Sequence, residues 1–241
     1  MKRTVLFLAA AILLGVALQS CDKENNNGNI NGGGNGGNTT VQWVDLGLPS
    51  GLLWADRNVG AQSPEDEGNY YAWGETAPKE VYNWDNYAYG TCLDSDGSFC
   101  NQFALTKYCN KSSYGLNGFT DNLTALVASD DAATVILGGN ARMPRDYEWE
   151  ELMDNTTSKF TSRNGVYGFK FTASNGNSLF LPSTYDVGYG SDMSRGGYYW
   201  SSTLYLNNPE YAYVFSFESS DLGLFYFSRY YGSPVRAVRA K

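Results

Sequence analysis

The sequence predicts an α+β domain made of short antiparallel strands, two or three short helices and long irregular loops. A disordered chain is excluded because aromatic residues make up 15% of the sequence and charged residues only 17%. The 27 glycines, together with many Asn and Ser residues, indicate frequent turns between short strands. Aromatic residues that alternate with smaller residues near the C-terminus predict strands. Apolar residues at helical spacing in the middle of the chain predict helices.

Two short strands are predicted at the start of the domain, over residues 41–48 and 52–59. The residues between them, 49–51, are Pro, Ser and Gly, which favour turns. Trp43 and Trp54 are the largest apolar side chains of these strands and are expected in the core.

The next segment lacks a sustained hydrophobic period. Residues 69–73 form a third strand candidate that ends at Gly74. From 75 to 113, Tyr, Trp, Asn, Asp and Gly alternate irregularly, which predicts a long structured loop. Loops of this length are unusual in compact domains and often carry function.

Helical spacing predicts three short helices between residues 120 and 153. The second covers 132–136, between acidic cap candidates and a Gly-Gly pair. The third covers 146–153, with acidic side chains near its N-terminus that complement the helix dipole. The first is centred on Leu123, Leu126 and Val127, with Thr120 or Asp121 as its cap.

The C-terminal part of the chain is predicted to consist of strands. Residues 169–172 and 178–181 flank an Asn-Gly pair, the strongest short-range signal for a hairpin. Further strands are predicted over 211–217, 222–227 and 235–238. Turn formers at 206–210 and 219–221 break the pairing and expose side chains at the sheet ends.

The N-terminus has the features of a bacterial export signal. Met1, Lys2 and Arg3 precede an apolar run over 5–18 that is too short for a membrane span. Residues 18–21, Leu-Gln-Ser-Cys, resemble the lipobox of bacterial lipoproteins, in which the cysteine carries the lipid. An ordinary cleavage site followed by a chance cysteine is the alternative.

The expected organisation is a signal peptide over 1–20, a lipidated Cys21 with a flexible tether over 21–40, and one domain over 41–241. Of the 19 residues from 22 to 40, 13 are Asn or Gly, so this segment cannot bury a core. Its mean span is on the order of 25 Å. The short acidic stretch beside Cys21 is similar to export signals of Bacteroidetes-type surface lipoproteins, so the outer surface of the outer membrane is favoured over the periplasm.

Charge excludes nucleic acid as a partner. Without the two basic residues of the predicted signal peptide, 15 basic and 25 acidic residues leave a net charge of −10. Binding to phosphate requires clustered Lys and Arg, which this chain lacks. The membrane is expected as a partner only through the lipid anchor.

Three cysteines remain after Cys21, and an oxidising exterior favours one disulfide. Cys92 and Cys100 form the candidate pair, although spacing leaves the pairing with Cys109 open. No CxxC motif or histidine accompanies them, so a zinc site has little support.

The chain lacks the commonest catalytic groups. It contains no histidine, which removes the usual general base and the Ser-His and Cys-His nucleophile pairs. Asp94 and Asp96 resemble the start of a calcium loop, but Leu105 stands where a bidentate Glu would be needed. We therefore expect neither an enzyme nor a cofactor, and assign no metal ligands. Calcium bound by separate loops, as in lectins, stays open.

Seven ordered blocks of residues resemble one known family, the Fibrobacter succinogenes major paralogous domain family. The blocks span about 41–241 and read VDLGLPSGLLWADRNVGA, GNYYAWGET, DDAATVILGG, ARMPRDYEWEEL, NGNSLFLPS, GGYYWSS and SPVRAVR. The resemblance implies a C-type-lectin-like fold whose termini pair and whose ligand face is built from irregular C-terminal loops. It does not imply a particular substrate.

The fourth block, ARMPRDYEWEEL, also resembles a segment of the formylglycine-generating enzyme class, which shares that fold. That chemistry requires a pair of cysteines late in the domain, and no cysteine follows Cys109. Where the family usually has Thr before the third helix, this chain has Arg145. Because Arg cannot accept a hydrogen bond from the helix N-terminus, a weaker helix start is expected.

Tyrosine is concentrated in the C-terminal part, with 10 of 19 tyrosines between residues 185 and 231. Tyrosine offers a large contact area, few rotors and a hydroxyl, which suits adaptable binding surfaces. Trp200, Val214 and Val235 are expected in the core. The candidate ligand-binding residues, expected on exposed loops and strand ends, are Asp186, Tyr189, Arg195, Tyr205, Asn207, Asn208, Asp221, Tyr226, Arg229 and Tyr230.

Two functions remain open on the sequence. The first is a surface lipoprotein that binds a glycan or protein ligand, adhesin-like and with a C-terminal face that is diversified among copies. The second is a structural or accessory component of a surface assembly, such as a pilus or a nutrient-uptake complex.

Overall fold

Antiparallel sheets make up most of the structure, with two short α-helices. The computed structural model describes residues 40–94, 100, 102–184, 196–218 and 221–241, all within a unit that spans Gly36–Lys241. The strands are β1 (Trp43–Asp45), β2 (Leu53–Asn58), β3 (Tyr70–Tyr71), β4 (Gly90–Cys92), β5 (Phe103–Leu105), β6 (Thr156–Arg163), β7 (Val166–Ala173), β8 (Ser178–Pro182), β9 (Gly196–Leu204), β10 (Tyr211–Glu218), β11 (Asp221–Ser228), β12 (Ser233–Pro234) and β13 (Arg236–Arg239). The helices are α1 (Ala132–Leu137) and α2 (Asp146–Asp154).

The described strands form two-stranded and three-stranded sheets. Their orders are β1-β2-β13, β11-β10-β9, β6-β7-β8, β12-β3 and β4-β5. The N-terminal hairpin β1–β2 and the last strand, β13, thus share one sheet. No helix in the described part of the chain is long and apolar enough to cross a membrane.

The sheet β6-β7-β8 is built from two hairpins. The β7–β8 hairpin contains the predicted Asn-Gly turn and is confirmed. The β6–β7 hairpin turns at Asn164 and Gly165, whose φ angles of 49° and 86° lie in the left-handed region that Asn and Gly tolerate best. Strand β6 was missing from the sequence prediction.

Two of the three predicted helices are present. Asp131 caps α1 through a 3.0 Å bond from the Thr134 N–H to its Oδ1, and the helix ends at Gly138. Helix α2 follows Arg145, as predicted, and buries Trp149 and Leu152.

The predicted helix around Leu123 is wrong. The segment lies beside β9 instead, where the Leu126 N–H donates to the Ser202 carbonyl and the Leu204 N–H donates to the Thr124 carbonyl. Pairing with a neighbouring strand satisfies these backbone groups, so a short apolar pattern with helical spacing adopts an extended form.

The core is aromatic and lies on both faces of β10. On one face, the Trp149 ring stacks on Phe215 with centroids 4.7 Å apart and meets Trp54 at 4.9 Å. On the other face, Trp200 and Val214 are fully buried, as predicted, and Val235 is buried in the same cluster.

Trp43 is an exception to the predicted core. It is only partly buried and packs under the guanidinium of Arg239, whose Cζ lies 4.4 Å from the ring centroid. Strand β1 is an edge strand, so one of its faces stays near solvent.

The segment predicted as a long loop, 75–113, contains local structure. Strands β4 and β5 form a small hairpin, and residues Trp84–Asn86 form a 3₁₀ turn. Trp84 stacks on Phe103 with centroids 3.9 Å apart. Cys92 and Cys100 form a disulfide next to this hairpin, and Cys109 is a buried free thiol.

Candidate ligand-binding surface

Four tyrosines meet at one end of the sheet β11-β10-β9. Tyr211 and Tyr213 lie in β10, Tyr226 lies opposite Tyr213 in β11, and Tyr205 follows the end of β9. Because side chains two residues apart in a strand point to the same face, Tyr211, Tyr213 and Tyr226 lie on one face of the sheet. We call these four residues the tyrosine patch.

The four rings form one continuous aromatic surface. Tyr205 and Tyr226 are stacked, with centroids 4.2 Å apart and an interplanar angle of 8°. Tyr213 meets Tyr205 edge-on at 5.5 Å, and Tyr211 meets Tyr226 at 5.5 Å. Since each ring contacts another member of the patch, the rings hold one another in place.

The tyrosine patch lies beyond the part of this face on which α2 and the sheet β6-β7-β8 pack. Farther along β10, Phe215 and Phe217 on the same face are buried by α2 and by the sheet β6-β7-β8. Tyr226, in contrast, is 50% exposed. Strand β10 thus begins with partly exposed tyrosines, whereas its phenylalanines are fully buried.

The turn between β9 and β10 supports the patch. The Tyr211 N–H donates to the Asn208 carbonyl, and the Asn208 N–H donates to the Tyr205 carbonyl. From a neighbouring segment, Asn110 Nδ2 donates to the Leu206 carbonyl at 3.0 Å and Lys111 Nζ donates to the Asn207 carbonyl at 2.5 Å. These bonds fix the position of Tyr205.

Amide and carboxylate groups lie beside the rings. The exposed Asn207 donates through Nδ2 to the Tyr205 hydroxyl at 3.3 Å. Asn208 is occupied within the turn, where its Oδ1 accepts from the Glu210 N–H at 3.0 Å. Asn207 is therefore the predicted amide that lies exposed beside the rings.

The charges that act on the patch are negative. Partial burial raises the pKa of Tyr211, and Glu210 adds to the shift. Partial burial likewise raises the pKa of Tyr213, and Asp146 and Glu150 add to it. Both hydroxyls are therefore neutral and able to donate hydrogen bonds at physiological pH.

The ten predicted site residues divide into five groups, of which the last is Arg229. Tyr205, Asn207, Asn208 and Tyr226 come together, and Asn207 and Tyr226 are exposed as expected, whereas Tyr205 and Asn208 are only partly exposed. Asp221 is exposed but lies at the other end of β11. Tyr230 is half-buried and packs edge-on against Trp84, at 5.0 Å, and against Tyr231. Asp186, Tyr189 and Arg195 lie outside the described residues.

Arg229 requires a correction, because it is fully buried and not exposed as expected. Its guanidinium donates to the Tyr87 hydroxyl at 2.9 Å, and to carbonyl oxygens of three other residues at 2.9–3.0 Å, namely Lys107, Tyr108 and Pro209. The ring of Trp73 lies 5.0 Å from its Cζ. These contacts make Arg229 an internal cross-link of the fold.

Sequence reasoning missed Tyr211 and Tyr213 as site residues. The signal was present, because the alternation from Tyr211 to Phe217 puts the aromatic side chains on one face of β10. The sequence did not indicate where along that strand α2 would stop covering the face.

Two other clusters of polar groups have structural explanations. Burial opposes ionisation of Asp130, but hydrogen bonds from Lys107, Tyr108 and Ser129 lower its pKa, so the carboxylate is an internal acceptor. In the described residues, Asp85 lies near the sulfurs of Cys92 and Cys100, with the candidate ligand atoms within 4.8 Å of one another. Both sulfurs belong to the disulfide and are not thiolates.

No known protein family, no curated protein and no solved structure was found to match this chain.

Proposed function

We propose that this protein is a cell-surface lipoprotein whose domain recognises a glycan or protein ligand through the tyrosine patch. The observation that carries the proposal is the stacked pair Tyr205–Tyr226, flanked by Tyr211 and Tyr213 at a solvent-facing sheet end. Flat aromatic surfaces with neutral hydroxyls stack on sugar rings and anchor protein partners. Asn207 supplies an amide beside them.

The rigidity of the patch favours binding. The stacked rings and the anchored turn restrict the side-chain rotors before a ligand arrives, which reduces the entropy lost on association. Tyrosine in addition has few rotors for its contact area. The patch is therefore preorganised for recognition.

A C-type-lectin-like fold is part of the proposal. It is supported by the sheet that joins the N-terminal hairpin to β13, since paired termini are what the resemblance to the paralogous domain family implies. The loops expected to form the ligand face include the turn at 205–210, which belongs to the patch.

The proposed location is the outer face of the outer membrane. Cys21 would carry the lipid, and the Asn- and Gly-rich tether over 22–40 would hold the domain away from the headgroups. We assign no catalytic residue.

The test is binding by the wild-type chain and by the double variant Tyr205→Ala/Tyr226→Ala, on a glycan array and on intact cells. Truncation of exposed aromatic anchors costs a binder about 2 kcal/mol or more. The double variant should therefore bind at least ten-fold more weakly, with a melting temperature close to that of the wild type.

Tyr167→Ala provides the matched control. Tyr167 is 48% exposed and stacks on Phe160 in the sheet β6-β7-β8, outside the patch. This variant should bind as well as the wild type. Equal binding by the double variant, or equal losses in the double variant and the control, would refute the assignment.

A second candidate, a component of a surface assembly, is favoured by the edge strand β11. Among the described strands this strand is paired only with β10, and its residues 221–228 include no Lys, Arg or Pro, the residues that commonly protect exposed edges. A wild-type chain that binds no glycan or cell, and migrates in native extracts as part of a larger complex, would favour this candidate.

A further inference from the structure

A concave site lies on the face of the sheet β11-β10-β9 opposite the tyrosine patch. It is a cavity of about 290 Å³. This volume is near the lower end of the range for small-molecule sites and is suited to a small ligand or a single side chain. The lining residues are Tyr198, Ser216, Phe217, Glu218, Asp221, Phe225 and Phe227.

A glycine in β11, Gly223, lies between two residues that line the cavity, Asp221 and Phe225. Gly223 lies opposite Ser216 in the register of β10 and β11. A Cβ added at Gly223 would meet only the Phe225 ring, at an ordinary 3.6 Å. Backbone strain therefore does not require this glycine, and a glycine within a strand often marks a place where a ligand approaches closely.

A buried residue with a hydroxyl contributes to the cavity. Ser216 is 8% exposed and lines the cavity. A hydroxyl can both donate and accept a hydrogen bond, so Ser216 offers a ligand a polar contact.

Two carboxylates stand at one end of the cavity. Glu218 and Asp221 are directly opposite each other in β10 and β11, and both are exposed. Neither forms an ion pair with a cation in the described part of the chain. Like charges in a cross-strand pair are unfavourable, and a bound cation would relieve the repulsion.

We propose that this cavity binds an organic cation, the guanidinium or ammonium group of a ligand. The faces of Phe225, Phe227 and Tyr198 would supply cation–π contacts, and Glu218 and Asp221 would neutralise the charge. A bare metal ion fits less well, since most of the lining is aromatic and hard cations prefer shells of oxygen ligands. The same chemistry could come from a free polyamine or from an Arg or Lys side chain of a protein.

The experiment is calorimetric titration of the full chain in a non-ionic detergent with three probes. N-acetylarginine amide represents a protein side chain, and agmatine represents a free amine. N-acetylcitrulline amide has nearly the same shape as the arginine probe but no charge. Saturable binding of at least one cationic probe is expected, at least ten-fold tighter than binding of the citrulline probe, and the preferred cation identifies the source.

Neighbouring residues in β11 provide matched variants. Phe225 and Tyr226 are 54% and 50% exposed and point to opposite faces of the same strand. Phe225→Leu should weaken cation binding at least ten-fold, whereas Tyr226→Leu should leave it unchanged. For the ligand of the tyrosine patch we expect the opposite result: Tyr226→Leu should weaken binding and Phe225→Leu should leave it unchanged. Each of the two binding proposals can therefore be refuted without the other.

Two further variants keep the proposal testable if Phe225→Leu is unstable. Gly223→Leu should fill the cavity and block the probe without removing any contacting group. Glu218→Gln with Asp221→Asn should weaken binding and reduce its dependence on salt. The proposal is overturned if neither cationic probe binds the wild type at low ionic strength, if the citrulline probe binds equally well, or if Tyr226→Leu is as harmful as Phe225→Leu.

Discussion

Two arginines stabilise the interior without a paired carboxylate. Arg229 and Arg236 are both fully buried. Arg236 donates to Asn58 Oδ1 and to two carbonyl oxygens, and burial lowers its pKa to about 10, so it stays charged at neutral pH. In each case the fixed fork of the guanidinium matches several acceptors at once.

The first residue-scale prediction concerns Arg229→Lys. Lysine keeps the charge but cannot reach the four acceptors of the guanidinium, so buried oxygens lose their partners. The free energy of unfolding should fall by about 2 kcal/mol or more, as measured by denaturant titration. Arg163→Lys, which keeps the charge of a half-exposed side chain paired with Glu65, should change it by less than about 0.5 kcal/mol. Equal midpoints for the two variants would contradict this role.

The burial of Arg229 could not be predicted from the sequence. Its acceptors include the carbonyl oxygens of Lys107 and Tyr108, more than 100 residues away, and that of Pro209. Nothing near Arg229 in the chain differs from an exposed, tyrosine-rich strand end. Long-range packing, which local patterns do not contain, decided the outcome.

At the scale of elements, turn chemistry was the most reliable signal. The Asn-Gly turn identified the β7–β8 hairpin, and the cap at Asp131 and stop at Gly138 identified α1. The pattern at Leu123 failed because its backbone partners lie in β9, about 80 residues later. Patterns succeed where the hydrogen-bond partners are local.

The start of α2 allows an element-scale prediction. Arg145 at the N-cap makes no side-chain bond to the helix backbone, although Glu148 accepts from the Arg145 N–H at 2.8 Å. Thr203 Oγ1 in β9 accepts from the Asp146 N–H at 3.3 Å and so partly replaces a cap. Arg145→Thr should add the missing acceptor and raise the free energy of unfolding by about 0.5–2 kcal/mol.

Arg145→Ala is the control for this prediction, because it removes the same side chain without adding an acceptor. Both variants are compared by chemical denaturation. A threonine variant no more stable than the alanine variant would show that Thr203 and Glu148 already satisfy the helix start.

At the scale of the whole molecule, fold class was accessible from the sequence but sheet order was not. Alternating aromatics and frequent turns predicted short antiparallel strands with a few helices. That β13 pairs with β2, about 180 residues earlier, follows from no local pattern, although the resemblance to the paralogous domain family implies that the termini pair. The same limit applies to the tyrosine patch. The alternation of aromatic residues in β10 indicates that they share one face of the sheet, whereas their exposure depends on how far α2 packs along β10.

The last prediction concerns attachment of the whole molecule. Residues 18–21 resemble a lipobox, and each buried methylene of an acyl chain contributes about 0.8 kcal/mol to membrane binding. Cys21→Ser should therefore move the protein from the membrane fraction to the soluble fraction and abolish labelling by a fatty-acid analogue. The domain itself should keep its melting temperature, because the tether over 22–40 has too few apolar residues to form part of a core. Asn25→Ser, in the tether, should stay lipidated and membrane-bound, so continued labelling of the Cys21 variant would rule out the anchor.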